Sequence, residues 1–272
     1  MIGLTALFGS VVGAGSLRLP GRTLAMVCAV VALAAAAGAY NQLMERDLDS
    51  RMARTCGRPF VTGRLAAGRH WYLPIALVAV SGFLLAWFVC NPPCAGYAAA
   101  GFVTYALVYT RWLKRRTSWN IVIGGLAGSF AVLAGATAAG AGLSAPAIAF
   151  AGVLFLWTPP HFWSLALAYR ADYVAAGVPM MPAVLAARPA ARVIFANALA
   201  LVLAGILPAV LGLGPLYLAC ALALGAWFLR SSAALLREPT RDRAMANFRA
   251  SLAYLGLLML AAVIDIGWGC RY

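Results

Sequence analysis

Nine long apolar runs dominate this chain, and a polypeptide that spaces them so regularly must bury them in lipid. They lie at about residues 2–16, 23–44, 71–90, 94–112, 119–141, 144–169, 192–212, 214–230 and 247–269. A helix needs about 20 apolar residues to cross a bilayer core, so the first run is short and most of the others suffice. Only 10% of the residues are charged, 64% are hydrophobic and the mean hydropathy is +0.88. Soluble domains carry about 25% charged residues, and no soluble core could hide this much apolar surface. The expected fold is an all-α integral membrane protein, a single transmembrane domain over residues 1–272 formed by a bundle of about nine transmembrane helices. Gly and Ala are abundant inside the runs, as close helix packing in lipid requires.

The net charge of +14 would suit a nucleic-acid binder if the basic residues formed one patch. They alternate instead. Eighteen of the 21 Lys and Arg fall in four connections. Arg46, Arg51, Arg54, Arg58, Arg64 and Arg69 follow run two, and Arg111, Lys114, Arg115 and Arg116 follow run four. Arg170, Arg188 and Arg192 follow run six, and Arg230, Arg237, Arg241, Arg243 and Arg249 follow run eight. The connections after runs three, five and seven hold none, which leaves Arg18, Arg22 and Arg271. Basic connections stay on the cytoplasmic side. The pattern therefore implies a multi-pass protein of a bacterial plasma (inner) membrane, with its N-terminus inside and its C-terminus outside, and no nucleic acid as partner. The start lacks a basic stretch and a small-residue cleavage site, so the first run reads as a retained span rather than a signal peptide.

The six cysteines are scattered. Only Cys90 and Cys94, around Asn91-Pro92-Pro93, are near enough to pair, and they would do so only facing an oxidising compartment. His70 and His161 are far apart, and no zinc-ligand spacing is present. Of seven acidic residues, Glu45, Asp47, Asp49, Asp172, Glu238 and Asp242 fall on the basic face. Asp265 lies inside the ninth run near its outer end, where a solvated or hydrogen-bonded helix terminus is the expectation.

Three stretches on the basic face could carry chemistry. The first is Tyr40-Asn41-Gln42-Leu43-Met44-Glu45-Arg46-Asp47-Leu48-Asp49-Ser50-Arg51. On one helix Asn41, Glu45 and Asp49 share a face, drifting about 40° and rising roughly 6 Å per step. Their oxygens suit Mg²⁺, which also takes ligands from substrate phosphates, and the arginines that follow suit a polyanion. A polar helix end with solvated charges is the plain alternative. Asp47 lies about 160° from Glu45 around such a helix, which fits a supporting role that orients Arg51 or Arg54.

The second stretch, Tyr109 to Asn120, places Arg111, Lys114, Arg115 and Arg116 within six residues before Gly124-Gly125. These cations could clamp a diphosphate or anchor the loop to anionic lipid. The third runs Trp157-Thr158-Pro159-Pro160-His161-Phe162-Trp163, then Tyr169-Arg170-Ala171-Asp172-Tyr173. A Pro-Pro pair deep in a span is expected to break the helical ladder beside a cavity or other protein. His161 reads either as an interhelical hydrogen-bonder or as a cavity-lining group.

The order of these motifs resembles the UbiA-type intramembrane prenyltransferases. Asn41-x3-Glu45-x-Asp47-x-Asp49 with Arg54-Thr55-x2-Arg58-Pro59 is similar to that family's first acidic motif. The fuller pattern is similar to its protoheme IX farnesyltransferase branch. The residues in question are Tyr109-Thr110 with Leu113-Lys114-Arg115, Asn120 to Gly125, Trp157 to Trp163, and Asp172-Tyr173 with Ala176-Gly177-x-Pro179-Met180-x-Pro182. Two positions depart from the family: Ser129-Phe130-Ala131 replaces a usual Pro-Pro pair, and Ala171 precedes Asp172 where a second carboxylate is common.

The resemblance implies a UbiA-like bundle of nine helices that transfers farnesyl from farnesyl diphosphate to a vinyl group of heme B, giving heme O. It implies Mg²⁺ held by Asn41, Glu45 and Asp49, with Asp172 from an opposing helix. Those four residues and Lys114 form the catalytic set. Lys114, Arg115, Arg54 and Arg58 would hold diphosphate, and His161, Trp157 and Trp163 would line the porphyrin or prenyl cavity. Tyr109, Asn120 and Arg170 join the substrate-binding set. The active-site face would be cytoplasmic, the bilayer the medium, and heme A synthase or terminal-oxidase assembly factors the candidate partners. Vinyl attack on the allylic carbon followed by water addition needs no enzymic nucleophile, and no Ser-His-Asp or Cys-His set is present. Within the same family the competing acceptor is a quinone precursor or other lipid. Outside it the competitors are an anion transporter and a non-catalytic heme-handling assembly factor.

Overall fold

A computed structural model describes residues 1–17, 21–140 and 142–269, and Arg18, Cys270 and Arg271 lie outside the described residues. The chain is a multi-pass, all-helical membrane protein with no strand among the described residues. In chain order the helices are α1 (Ile2–Ala14), α2 (Thr23–Met44), α3 (Arg46–Asp49), α4 (Tyr72–Leu85), α5 (Pro92–Val103), α6 (Asn120–Gly124) and α7 (Leu126–Ala138). They continue as α8 (Ala145–Ala168), α9 (Arg170–Ala175), α10 (Met181–Val184), α11 (Ala187–Ala204), α12 (Leu207–Val210), α13 (Pro215–Arg237) and α14 (Arg241–Gly269).

Seven helical segments are long and apolar enough to cross a membrane, including Arg69–Cys90, which joins α4 to a short helical turn on either side, and Asn120–Ala138, which joins α6 and α7. An eighth arises because α5 continues without a break into Thr104–Leu113, wound with i→i+5 hydrogen bonds. The ninth is α1, only 13 residues long. Among the described residues these account for the nine apolar runs. Boundaries shift where a helix emerges from the membrane. The last begins at Arg241, six residues before its apolar run, because a helix exposed at the polar face accepts charged residues. Gly212 (φ +128°) and Gly214 form the tight junction between α12 and α13.

Small residues set the closest crossing. A methyl group added at Gly135 would lie 1.8 Å from the Ala6 carbonyl oxygen, and one at Gly9 would lie 2.2 Å from that of Val132. Ser10 Oγ donates to Gly135 O across the same contact at 3.0 Å. This backbone-to-backbone approach holds the short α1 against α7.

Side chains close the helix ends on the face away from the basic loops. Arg22 donates to Ala138 O at 2.9 Å and Cys90 O at 3.1 Å, satisfying carbonyls that helix ends leave open. Asp265 accepts from the N–H groups of Gly214 at 2.5 Å and Tyr217 at 3.1 Å, so this intramembrane carboxylate caps the start of α13. Cys90 and Cys94 are free thiols, both buried.

The Pro-Pro expectation needs correcting, because α8 runs unbroken through Pro159 and Pro160. The prolines remove two ladder donors, but this part of α8 is buried in protein rather than lipid. Hydroxyls engage neighbouring carbonyls, with Thr158 Oγ1 donating to Leu154 O at 2.9 Å and Ser164 Oγ to Pro160 O at 2.6 Å.

Candidate active site

The first acidic stretch does not form one continuous helix. α2 stops at Met44, Glu45 adopts φ −106° and ψ 11°, and α3 restarts at Arg46. Glu45 N–H still donates to Asn41 O at 2.9 Å, and Asp49 N–H to Glu45 O at 2.8 Å, so the i, i+4 relationship survives the break. Asn41, Glu45 and Asp49 are all buried, Glu45 to 1% exposure, whereas the Asp47 side chain is 49% exposed.

Each carboxylate has its own cation. Glu45 Oε2 pairs with Lys114 Nζ, and Asp49 Oδ2 with Arg58 at 2.6 Å. Asp47 takes a two-pronged pair from Arg115 at 2.7 and 2.8 Å. Arg115 also donates to Met44 O, closing the end of α2. The Arg115 hydrogen bonds hold the Asp47 carboxyl below the usual range, and the same contact raises the guanidinium. Asp47 therefore supports Arg115, not Arg51 or Arg54 as the sequence suggests. The partner is 68 residues away and invisible to local spacing.

Glu45 Oε1 is buried with no hydrogen-bond partner. An unpaired oxygen on a buried carboxylate is costly, and a cation or donor placed there would relieve that cost. Beside it Asn41 Nδ2 donates to Thr110 Oγ1 at 3.0 Å, which in turn donates to Tyr105 O at 2.8 Å. The i→i+5 winding aligns Tyr105, Tyr109 and Lys114 along one side of this segment. The two tyrosine rings stack at 5.6 Å, and Lys114 Nζ lies 5.6 Å from the Tyr109 ring. Gly124 is required here, since a methyl group would meet the Tyr109 ring at 2.8 Å.

Tyr105, which none of the sequence motifs includes, lines an apolar cavity of about 260 Å³. Ala34, Ala37 and Gly38 form its α2 wall, one to two turns before Asn41. Its opposite side includes Phe102 and Ala131. The sequence does hold a signal for Tyr105, as an aromatic four residues before Tyr109 on the run leading into the cationic cluster.

The remaining candidates divide into those near this site and those elsewhere. Asp172 Oδ2 accepts from Ala53 N–H at 3.1 Å, which places it on the loop after α3 rather than against Asp49. Burial pushes the Tyr173 hydroxyl up, against the opposing charge of Arg54 nearby. Among the described residues no three His, Cys, Asp or Glu side chains gather as a metal site. Arg170 donates to the carbonyls of Pro182 and Leu185, clasping the segment after α9 instead of facing the carboxylates. Asn120 is fully buried; its Nδ2 donates to Thr117 O and its Oδ1 is unpartnered.

His161 is sandwiched between Trp157 at 4.1 Å and Phe248 at 4.4 Å. Ser251 Oγ donates its single hydrogen to Phe248 O, so at 2.8 Å it accepts from His161 Nδ1–H. In the neutral ring Nε2 then carries the free lone pair. Trp157 Nε1 donates to Ser251 O at 2.7 Å, completing the lock. Trp163 does not share this face. Two residues after His161 on α8, it lines a separate cleft with Trp119 and Val193.

The chain matches the model of the UbiA prenyltransferase family over residues 2–260. It is 51% identical over 258 residues to protoheme IX farnesyltransferase 2 of Paramagnetospirillum magneticum, covering 93% of this chain and 90% of that protein. It is 44% identical over 262 residues to protoheme IX farnesyltransferase of Thermus thermophilus, covering 96% of this chain and 43% of that longer protein. Among solved structures, one described as digeranylgeranylglyceryl phosphate synthase aligns with a TM-score of 0.82 at 16% identity, covering 97% of this chain and 92% of that one. A UbiA homolog from Archaeoglobus fulgidus, bound to DMAPP and Mg²⁺, aligns with a TM-score of 0.69 at 16% identity, covering 93% and 96%. These structures share the fold.

Proposed function

The chain belongs to the UbiA prenyltransferase family, and on that premise we propose that it transfers farnesyl from farnesyl diphosphate to a vinyl side chain of protoheme IX, giving heme O and diphosphate. The relatives' shared name, protoheme IX farnesyltransferase, favours heme over a quinone precursor as acceptor. One observation carries the reading at the level of chemistry. A buried carboxylate with one oxygen on Lys114 and the other unpartnered sits about two turns along α2 from the start of an apolar cavity. A ligand with an anionic head and a long apolar tail suits that combination, since burying the tail contributes about 0.8 kcal/mol per CH₂.

Asn41, Glu45 and Asp49 are the residues assigned to Mg²⁺, with Asp172 nearby on α9. The bare Glu45 oxygen fits such an ion, and a sparse protein ligand set suits one that takes much of its coordination from water and phosphate. When bound, Mg²⁺ supplies positive charge that stabilises the departing diphosphate. Lys114, Arg58 and Arg115, each steadied by a carboxylate, are preplaced to hold diphosphate oxygens, and Arg54 joins them from the same loop. The allylic C–O bond breaks with its electron pair on diphosphate. The vinyl π electrons form the new C–C bond, and water adds to the adjacent porphyrin-side carbon and releases a proton. The Tyr105 and Tyr109 rings offer their faces to the electron-poor carbon. His161, with Nε2 unprotonated, and Trp157 line the porphyrin side.

This reading puts the site on the cytoplasmic face of a bacterial inner membrane and makes heme A synthase or terminal-oxidase assembly factors its candidate partners. The test is reconstitution of the protein in nanodiscs with farnesyl diphosphate, heme B and Mg²⁺, followed by mass analysis of extracted heme. Heme O is expected. Diphosphate release with a prenylated aromatic lipid and no farnesylated heme would transfer the assignment to a different acceptor, and no diphosphate release would remove the transferase reading.

A further inference from the structure

The cleft that holds Trp163 is separate from both the carboxylate site and the cavity beside Tyr105. It has a volume of about 280 Å³ and lies between the approach to α6, the last turns of α8, α10 and α11. Its outer wall is apolar and open, with Trp119 64% exposed and Val184 61% exposed. Trp163 is 4% exposed, and its indole N–H is buried with no acceptor. A buried donor left bare costs about 1–3 kcal/mol, and an oxygen brought by whatever fills the cleft would relieve that cost.

Three arginines lie within three residues in sequence of its lining. Arg116 precedes Ser118, and Arg188 and Arg192 lie one turn apart on α11 just before Val193. All three are exposed, none has an ion pair among the described residues, and no acidic residue lines the cleft. Trp163 lies five residues before the end of α8, about 7–8 Å below the basic face. With the end of α8 taken at the phosphate level, that depth falls at the glycerol esters, below phosphate and above acyl chain.

We propose that this cleft binds one anionic phospholipid. An ester carbonyl accepts the Trp163 N–H, the headgroup phosphate faces Arg188 and Arg192, and an acyl chain covers Trp119, Val184 and Val193. The assignment does not rest on the prenyl-transfer reading, because none of these contacts involves Glu45, Lys114 or the cavity beside Tyr105.

The experiment is native mass spectrometry of the full chain in detergent with dioleoylphosphatidylglycerol or dioleoylphosphatidylcholine added. The wild type is expected to retain one phosphatidylglycerol in preference to phosphatidylcholine. Arg188→Gln with Arg192→Gln should weaken phosphatidylglycerol retention by roughly fivefold per arginine, with little change for phosphatidylcholine. Trp163→Phe, which keeps the ring and removes the donor, should weaken retention of both lipids. Thermal unfolding of each variant checks that the fold persists, and the exposed arginine pair tests the site without touching the core. Unchanged lipid retention in the arginine variants overturns the proposal. So does weakened heme binding in those variants with lipid retention intact, which would give the cleft to porphyrin carboxylates. Loss of a dimer peak in the same variants, again with lipid unaffected, would make the face a contact between copies.

Discussion

Lys114 and Glu45, 69 residues apart in the chain, form an ion pair that is almost entirely removed from solvent. It ties the end of α2 to the cationic run after the i→i+5 segment. Because both groups are desolvated, removing one leaves the other charged and bare. Lys114→Met should therefore destabilise the protein by about 3–5 kcal/mol. Glu45→Gln combined with Lys114→Met should recover part of that loss while remaining inactive. Thermal unfolding in detergent measures the first effect, and heme O formation the second.

The exposed pair beside it should behave differently. Arg115 lowers the Asp47 pKa, so the folded state holds the carboxylate more tightly than the unfolded chain does. A depressed pKa contributes stability that is present above the unfolded aspartate range and is lost as pH falls through the lower folded value. With a side chain 49% exposed, solvent screening keeps the contribution below about 1 kcal/mol. Asp47→Asn should lower the melting temperature slightly at neutral pH, and the gap to wild type should close under acid conditions. A gap that widens toward acid would contradict the pairing.

These two pairs show what could and could not be read from the residues. The spacing of Asn41, Glu45 and Asp49 predicts a common face with Asp47 outside it, and the structure buries the three and exposes the fourth. The break at Glu45, the i→i+5 winding of Thr104–Leu113 and the choice of Arg115 over Arg51 were not legible. Each depends on contacts made across tens of residues, which local periodicity does not encode. Pro159 and Pro160 illustrate the reverse error: the local rule predicts a break, but the packing of α8 against α11 and α14 lets the helix continue. Proximity in sequence groups Trp163 with His161, although residues two apart on a helix point to different sides.

The intramembrane Asp265 is a structural residue on this geometry. Its two oxygens cap α13 through Gly214 and Tyr217, far in the fold from the basic face. Asp265→Ala should cost about 1–2 kcal/mol of stability, as lost caps do. Heme O formation at a temperature where the variant stays folded should be unaffected. Loss of turnover without loss of stability would give Asp265 a part in the chemistry.

Glycine substitutions separate packing from sequence composition. Gly135→Ala drives a methyl group into the Ala6 carbonyl, backbone that cannot swing aside, whereas Gly256 has nothing within 4 Å. Overpacking of this kind costs about 1–3 kcal/mol or more, so Gly135→Ala should destabilise strongly and Gly256→Ala should be tolerated. Comparable melting temperatures for the two variants would mean that α1 is not held against α7 as described.

Removal of the divalent ion tests the carboxylates most directly. Chelation should stop heme O formation, and added Mg²⁺ should restore it, if Glu45 Oε1 and Asp49 serve the ion. Glu45→Gln preserves the shape and drops the charge, as does Asp49→Asn. Losing preplaced charge stabilisation at a leaving group costs on the order of 10²–10³ in turnover, which is the fall expected for either variant. The two should differ in stability, because Glu45→Gln strands Lys114, 14% exposed, whereas Asp49→Asn releases Arg58, 28% exposed. Activity within a few-fold of wild type in both variants would remove these residues from the ion and leave the Lys114 and Arg58 pairs as structure alone.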